Sequence, residues 1–143
     1  MEPFVVYSTK TGNTKKVARV IAKELGVKAQ GAKEVKSVPK GAPLIAGSGV
    51  YASRISGEMK DFLEDLPKVS KGKAAVFETS GGYNDGKNVG IQQLERSLKQ
   101  KGYRIVGRFG CSGQMFRIFN RGHPSPEELE KAMKFAAGLK KSF

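Results

Sequence analysis

The sequence predicts an α/β domain built on a parallel sheet, and three observations carry that prediction. Short runs of consecutive apolar residues recur along the chain, amphipathic segments with helical spacing separate them, and the connections between the two are brief. Unbroken apolar runs suit strands buried on both faces, so the sheet is expected between two layers of helices.

The first run is Phe4–Tyr7. From Thr14 onward, Val17, Ala18, Ile21, Ala22 and Leu25 form one helical stripe, which ends at Gly26. Val27–Ala29 reads as a short strand, and Gly31–Gly41, without periodicity, as an irregular connection. Pro43–Ala46 is the third run; Ile55, Met59, Phe62, Leu63 and Leu66 then make a second helical stripe, stopped by Pro67. Ala74–Phe77 is the fourth strand, Ile91, Leu94 and Leu98 the third helix, and Ile105–Phe109 the fifth strand. Ser125–Pro126–Glu127–Glu128 opens the last helix with a capping serine, a proline at the first helical position and a glutamate able to complete a capping box. Leu129, Ala132, Met133, Ala136 and Leu139 are expected to face inward there, and Lys140 and Lys141 suit the negative end of the helix dipole. No repeat or linker interrupts the pattern, so residues 1–143 are read as one domain.

Composition narrows the function classes. Hydrophobic residues make up 38%, and they come in blocks, which argues against disorder despite a charge of +13 from 26 Lys+Arg against 13 Asp+Glu. No apolar run approaches the length of a membrane span, and Phe4–Tyr7 is too short for the apolar region of a signal peptide. The single cysteine, Cys111, rules out an intrachain disulfide and a cysteine-cluster metal site. The single histidine, His123, lies far from it in sequence, and no metal is expected. The chain reads as cytoplasmic.

In a doubly wound α/β fold ligands sit beyond the carboxyl ends of the strands, so the loops there are where function is sought. Ser8–Thr9–Lys10–Thr11–Gly12–Asn13–Thr14 joins the first strand to the first helix. Hydroxyls donate to phosphate oxygens, Gly12 permits close backbone approach, and the helix start offers free N–H groups and a positive dipole end. A helix cap needs one such residue, and this loop carries more than capping requires. The loop lacks the Gly–Lys–Ser/Thr ending of nucleotide triphosphatases and the three glycines of the dinucleotide fingerprint.

Val5–Val6–Tyr7–Ser8–Thr9–Lys10–Thr11–Gly12–Asn13–Thr14, followed by Ala18 and Ile21, resembles the phosphate-loop signature of the flavodoxins. The resemblance extends over the whole chain, which has the length of a short-chain flavodoxin. It implies a doubly wound five-stranded parallel sheet of order 2-1-3-4-5 with helices on both faces. It also implies an FMN whose phosphate rests on Thr9, Lys10, Thr11, Gly12, Asn13 and Thr14.

An isoalloxazine ring needs flat or aliphatic covers and backbone hydrogen bonds from nearby loops. Two glycine-bearing segments, each with one tyrosine, follow the third and fourth strands. They are Gly47–Ser48–Gly49–Val50–Tyr51–Ala52–Ser53 and Thr79–Ser80–Gly81–Gly82–Tyr83–Asn84–Asp85–Gly86. Padding between helix and loop is one use for such tyrosines. By similarity to the family, Gly49, Val50, Tyr51 and Ala52 on one side and Thr79, Ser80, Gly81, Gly82, Tyr83 and Asp85 on the other would hold the ring.

The departures from the family are specific. Ala52 stands where flavodoxins commonly carry a glycine whose peptide flips on reduction. A flip needing positive φ costs alanine roughly 1 kcal/mol more than glycine, so the one-electron-reduced flavin is expected to be less stabilised. Ser53 and Arg54 stand where acidic residues are frequent. An arginine about 7 Å from the ring, at an effective dielectric constant of about 20, favours the anionic reduced flavin by roughly 2 kcal/mol. For one electron that is on the order of 100 mV upward.

Typical flavodoxins are acidic, and this chain is not. Its basic residues are spread along the sequence, with Lys15, Lys16, Arg19 and Lys23 on the first helix and Lys99, Lys101, Arg104 and Arg108 later. A solvated surface and steering toward acidic redox partners such as a ferredoxin or a reductase both account for this. No stacking platform or helix-turn-helix pattern accompanies the charge, so nucleic acid is not the expected partner. Cys111 reads as a buried thiol at a strand end, and nothing orients it with His123 as a nucleophilic pair. Phe116, Ile118 and Phe119 are either core or a docking patch.

The resulting expectation is an FMN-binding electron carrier with no catalytic side chain of its own. The alternatives are an FMN-dependent oxidoreductase acting on a quinone or porphyrin-type substrate, and a regulatory module that binds no flavin.

Overall fold

Adjacent residues of a strand face opposite sides of its sheet, so a strand apolar at every position must be covered twice. Val5 and Val6, Ile45 and Ala46, and Ala75 and Val76 are each fully buried as neighbouring pairs. The computed structural model describes residues 2–80, 88–112 and 124–143. In chain order these form β1 (Phe4–Ser8), α1 (Asn13–Leu25), β2 (Ala29–Gly31), a 3-10 turn (Ala32–Glu34), β3 (Leu44–Tyr51), β4 (Arg54–Ile55) and α2 (Gly57–Asp65). There follow β5 (Gly72–Ser80), α3 (Val89–Gln100), β6 (Tyr103–Ser112) and α4 (Pro126–Leu139).

The strands lie in the order β2-β1-β3-β5-β6, all parallel, with β4 attached antiparallel to the end of β3. Numbered by the parallel strands alone, this is the 2-1-3-4-5 order that the resemblance implied. The core divides in two. Val6, Leu44, Ala46 and Val76 meet Met59, Leu63, Leu94 and Leu98 of α2 and α3, whereas Val5, Ile45, Ala75 and Phe77 meet Val17, Ile21, Ala132 and Ala136 of α1 and α4. Each buried valine, leucine, isoleucine, methionine or phenylalanine among them contributes about 1.5–3 kcal/mol by leaving water, and each alanine less than about 1 kcal/mol.

Helix ends follow the sequence signals. Gly26, at φ 73°, ends α1 in the left-handed conformation, with its N–H and that of Val27 bonded to the carbonyls of Lys23 and Ala22. Ser125 and Glu128 complete the expected capping box. Arg108 of β6 donates to both carboxylate oxygens of Glu95 on α3, at 2.8 and 2.6 Å, and this neighbour holds Glu95 below the usual carboxylate range.

Four expectations need correction. The parallel strands β3, β5 and β6 run beyond their apolar runs, and β3 absorbs Gly47–Tyr51, which the sequence places in a loop. The short strand after α1 is Ala29–Gly31 rather than Val27–Ala29. Ile55 belongs to β4 and not to the helix that follows. Met133 is 42% exposed, because Ala132 and Ala136 bring α4 close against α1 and the stacking of Phe135 on Phe109 occupies the flank.

Gly47 stays in β3 for a steric reason. The Phe77 ring lies against its Cα, and a Cβ there would collide with the ring. Gly47→Ala is expected to lower stability by about 2–3 kcal/mol in urea unfolding, the cost of overpacking a close-packed core. Gly57→Ala, where a Cβ meets nothing within 4 Å, should cost less than about 0.5 kcal/mol.

Candidate functional site

The order of the strands reverses between β1 and β3, and α1 and α2 leave on opposite faces of the sheet. The crevice of a doubly wound sheet opens at that point, beyond the carboxyl ends of the strands. The loop Thr9–Gly12 sits there and leads into α1.

Within this loop the side chains bond to one another. Thr9 Oγ1 accepts the Gly12 N–H at 2.9 Å, and Asn13 Nδ2 donates to Thr11 Oγ1 at 2.9 Å. Gly12 takes φ 91°, in the left-handed region, and open space surrounds the position where a Cβ would stand. Ser56 and Ser125 cap α2 and α4 through their side chains, but no side-chain cap closes the start of α1. The excess of hydroxyls is thus not explained by capping. The first turn of α1 presents its amides and its positive dipole end to the crevice.

Two strand ends reach the same place. Thr14 Oγ1, buried in the first turn of α1, lies 2.8 Å from Thr79 Oγ1 of β5. The Tyr51 hydroxyl accepts the Lys10 N–H at 2.9 Å, and the Lys10 ammonium stands 4.5 Å from the Tyr51 ring centroid. Burial raises the Tyr51 hydroxyl above its ordinary pKa, against the lowering effects of the Lys10 N–H and the Thr9 side chain; Glu58 adds a smaller push upward. Tyr51 folds back over Gly49, where a Cβ would meet its hydroxyl.

The structure therefore brings Thr9, Lys10, Gly12 and Thr14 together with Gly49, Tyr51 and Thr79. Gly49, Val50 and Tyr51 are the last residues of β3 and Thr79 and Ser80 the last of β5, strand ends rather than loop, and Ala52 stands in the turn after β3. Gly81, Gly82, Tyr83 and Asp85 lie outside the described residues, as do Phe116, Ile118, Phe119 and His123. Cys111 is buried in β6, and burial, with Glu128 and Glu78 nearby, pushes its thiol up to about 12. A thiol held so far from ionisation is a packing group.

Three arrangements were not legible beforehand. A directional run of serine hydroxyls crosses the sheet end. Ser56 Oγ donates to Ser8 Oγ, Ser8 Oγ to Ser48 Oγ at 3.1 Å, and Ser48 Oγ to the Gly49 carbonyl at 2.7 Å. Glu78, 2% exposed, accepts the Ile91 N–H in the first turn of α3 at 3.1 Å. Gln93 of α3 accepts the Ile55 N–H at 3.0 Å and donates to the Ser53 carbonyl at 2.8 Å, holding the turn of the β3–β4 hairpin and the β4 strand after it. Only Glu78 had a visible signal, as the one charge directly following an apolar strand run.

A flavodoxin domain profile matches residues 4–121 of the chain. The chain belongs to the flavodoxin family. A flavodoxin of Aquifex aeolicus is 27% identical over 90% of this chain and 79% of its own length. An uncharacterised protein of Methanocaldococcus jannaschii is 32% identical over 99% of this chain and all of its own. Flavodoxin 1 of Bacillus cereus, 17% identical, superposes with a TM-score of 0.82 over 100% of this chain and 99% of the other, a likeness of fold. FMN is the cofactor of flavodoxins, and electron transfer is their work. The residues present fit a phosphate monoester: an uncapped helix start, a glycine with open space at its Cβ position, and clustered hydroxyls. Among the described residues no helix is long and apolar enough to cross a membrane.

The hairpin departs from the flavodoxin expectation in one respect. Ala52 and Ser53 both have positive φ, 50° and 63°, in the two-residue turn between Tyr51 and Arg54. Such turns favour Asn-Gly, because side chains other than Asn and Asp resist the left-handed region. The cost anticipated for a flip at Ala52 is already present in the fold. Replacing the pair by Ala52→Asn with Ser53→Gly is expected to raise stability by about 1–2 kcal/mol in chemical unfolding.

Proposed function

We propose that this flavodoxin binds one FMN noncovalently and carries electrons between redox proteins whose docking surfaces are acidic. The observation that carries the reading is the hydroxyl-rich loop before an uncapped α1, at the point where the strand order reverses. In this reading Thr9–Thr14 hold the phosphate group, Gly49–Ala52 supply one cover for the ring, and Thr79, Ser80, Gly81, Gly82, Tyr83 and Asp85 supply the other. When bound, FMN supplies one- and two-electron redox chemistry. The protein's own residues bind it, orient it and limit the access of water. No side chain is assigned a proton-transfer step.

The rim supports the choice of partner. Lys10, Lys16 and Arg54 are exposed near the crevice, and among the described residues none of them has a carboxylate within ion-pair distance. With a formal charge of +13, the chain attracts acidic surfaces and repels basic ones. Cytoplasmic residence remains part of the proposal, in keeping with the one-cysteine composition.

Anaerobic stepwise reduction of the FMN-loaded protein, followed by visible absorption, tests the carrier reading. Accumulation of the one-electron-reduced flavin at half-reduction is expected. Direct passage to the two-electron-reduced form contradicts a one-electron carrier and moves attention to quinones and similar two-electron substrates.

The electrostatic influence of Arg54 falls below the value for an effective dielectric constant of about 20. Its side chain is exposed, so its charge acts through water, and at a dielectric constant of about 80 the shift falls to about 25 mV. Reversing the charge with Arg54→Glu is expected to lower the potential for the second electron by about 50 mV at low salt, and by less at high salt. An unchanged potential at low salt contradicts this assignment.

A further inference from the structure

We infer that Ser8, Ser48 and Ser56 form a positioning relay that holds the ring-side hairpin in register with the phosphate loop. This deepens the FMN reading above and rests on it. The three serines come from three separate elements. Ser8 ends β1 immediately before the phosphate loop, Ser48 lies beside it in β3 as its parallel partner, and Ser56 caps α2 just after the hairpin Tyr51–Ile55. All three are buried, at 2%, 0% and 6% exposure.

The hydrogen bonds run one way and leave no hydroxyl idle. The Met59 N–H, at the start of α2, donates to Ser56 Oγ at 3.2 Å. Ser56 Oγ donates to Ser8 Oγ, Ser8 Oγ to Ser48 Oγ, and Ser48 Oγ to the Gly49 carbonyl. The Ser56 N–H returns to Ser48 Oγ at 3.1 Å, closing a ring through all three residues. A chain of donors that polarise one another inside a low-dielectric core is stiffer than its separate bonds, and each break leaves a buried polar group unpaired.

The hairpin enters at Gly49 and leaves at Ser56; Ser56 bonds to Ser8 directly, and Gly49 is linked to it through Ser48. Ser8 is buried with its hydroxyl already engaged by Ser56 and Ser48, so it is no candidate for touching the phosphate. Its hydroxyl fixes how far the segment carrying Tyr51 stands from the loop carrying Thr9–Thr14. An apolar residue at Ser56 or Ser48 would leave the Met59 or Ser56 N–H without its side-chain acceptor. A ring of hydroxyls fixes direction as well as distance.

Ser8→Ala tests the relay, with inorganic phosphate and FMN as separate probes of the flavin-free protein and the midpoint potential of the loaded protein as a third readout. The expected result is FMN affinity lowered about tenfold, phosphate affinity changed less than about twofold, and a shifted potential. Ser8→Cys puts a slightly larger, weaker donor at the same place and should give the same split should the alanine variant not fold. Equal losses for phosphate and FMN in either variant reduce the serines to general fold support and overturn the relay. So does an unaltered FMN affinity. Wild-type protein that takes up no FMN overturns the cofactor reading and this inference with it, which is a different result from wild-type uptake with an unaffected Ser8→Ala.

Discussion

A parallel sheet covered on both faces leaves polar chemistry almost nowhere to go except past the ends of its strands. Val5, Val6, Ile45, Ala46, Ala75 and Val76 are fully buried, and the binding proposed for this chain falls to residues at and beyond the strand ends. The reversal of strand order between β1 and β3 then separates α1 from α2 and opens the crevice in one place. Everything proposed for this protein follows from that constraint and from the residues the chain happens to put there.

The crevice is held from beneath by unusually placed polar groups. Non-glycine residues with positive φ persist only where their surroundings fix them. Ala52 and Ser53 are fixed by the Gln93 amide at the turn and by the serine ring at the base of the hairpin. Glu78 does a related task on the neighbouring strand, tying the end of β5 to the first turn of α3 through the Ile91 N–H. The two strands that lead into the proposed ring contacts are each anchored by a buried side chain whose apolar replacement would leave backbone or hydroxyl groups unpaired.

Much of this was legible in the sequence, for reasons that differ from element to element. The apolar runs located four of the five parallel strands because burial writes itself into consecutive residues, whereas β2, only partly buried, lies two residues later than the run read for it. The capping box at Ser125 and the glycine after α1 marked helix ends because those ends need specific chemistry. The extent of β3 was not legible. Gly47–Ser48–Gly49 has the composition of a turn, yet each residue there answers a tertiary demand: room for the Phe77 ring, a hydrogen-bonding hydroxyl, and room for Tyr51. The β3–β4 hairpin was hidden for the opposite reason, since Ala52 and Ser53 carry none of the usual signals of a tight turn. Met133 was misplaced because helical spacing alone does not say which flank a neighbouring aromatic pair will occupy. Of the candidate site, the hydroxyl-rich loop before α1 was visible as a motif, whereas its contacts with Tyr51 and Thr79 depend on strand register.

The central claim is that the loop before α1 recognises the phosphate group of FMN. Equilibrium binding of FMN and of riboflavin to the flavin-free protein, side by side at one ionic strength, tests it most directly. The account predicts that FMN binds at least about a hundredfold more tightly, since several charge-assisted hydrogen bonds to the phosphate are lost with riboflavin. Equal affinities for the two flavins would contradict it.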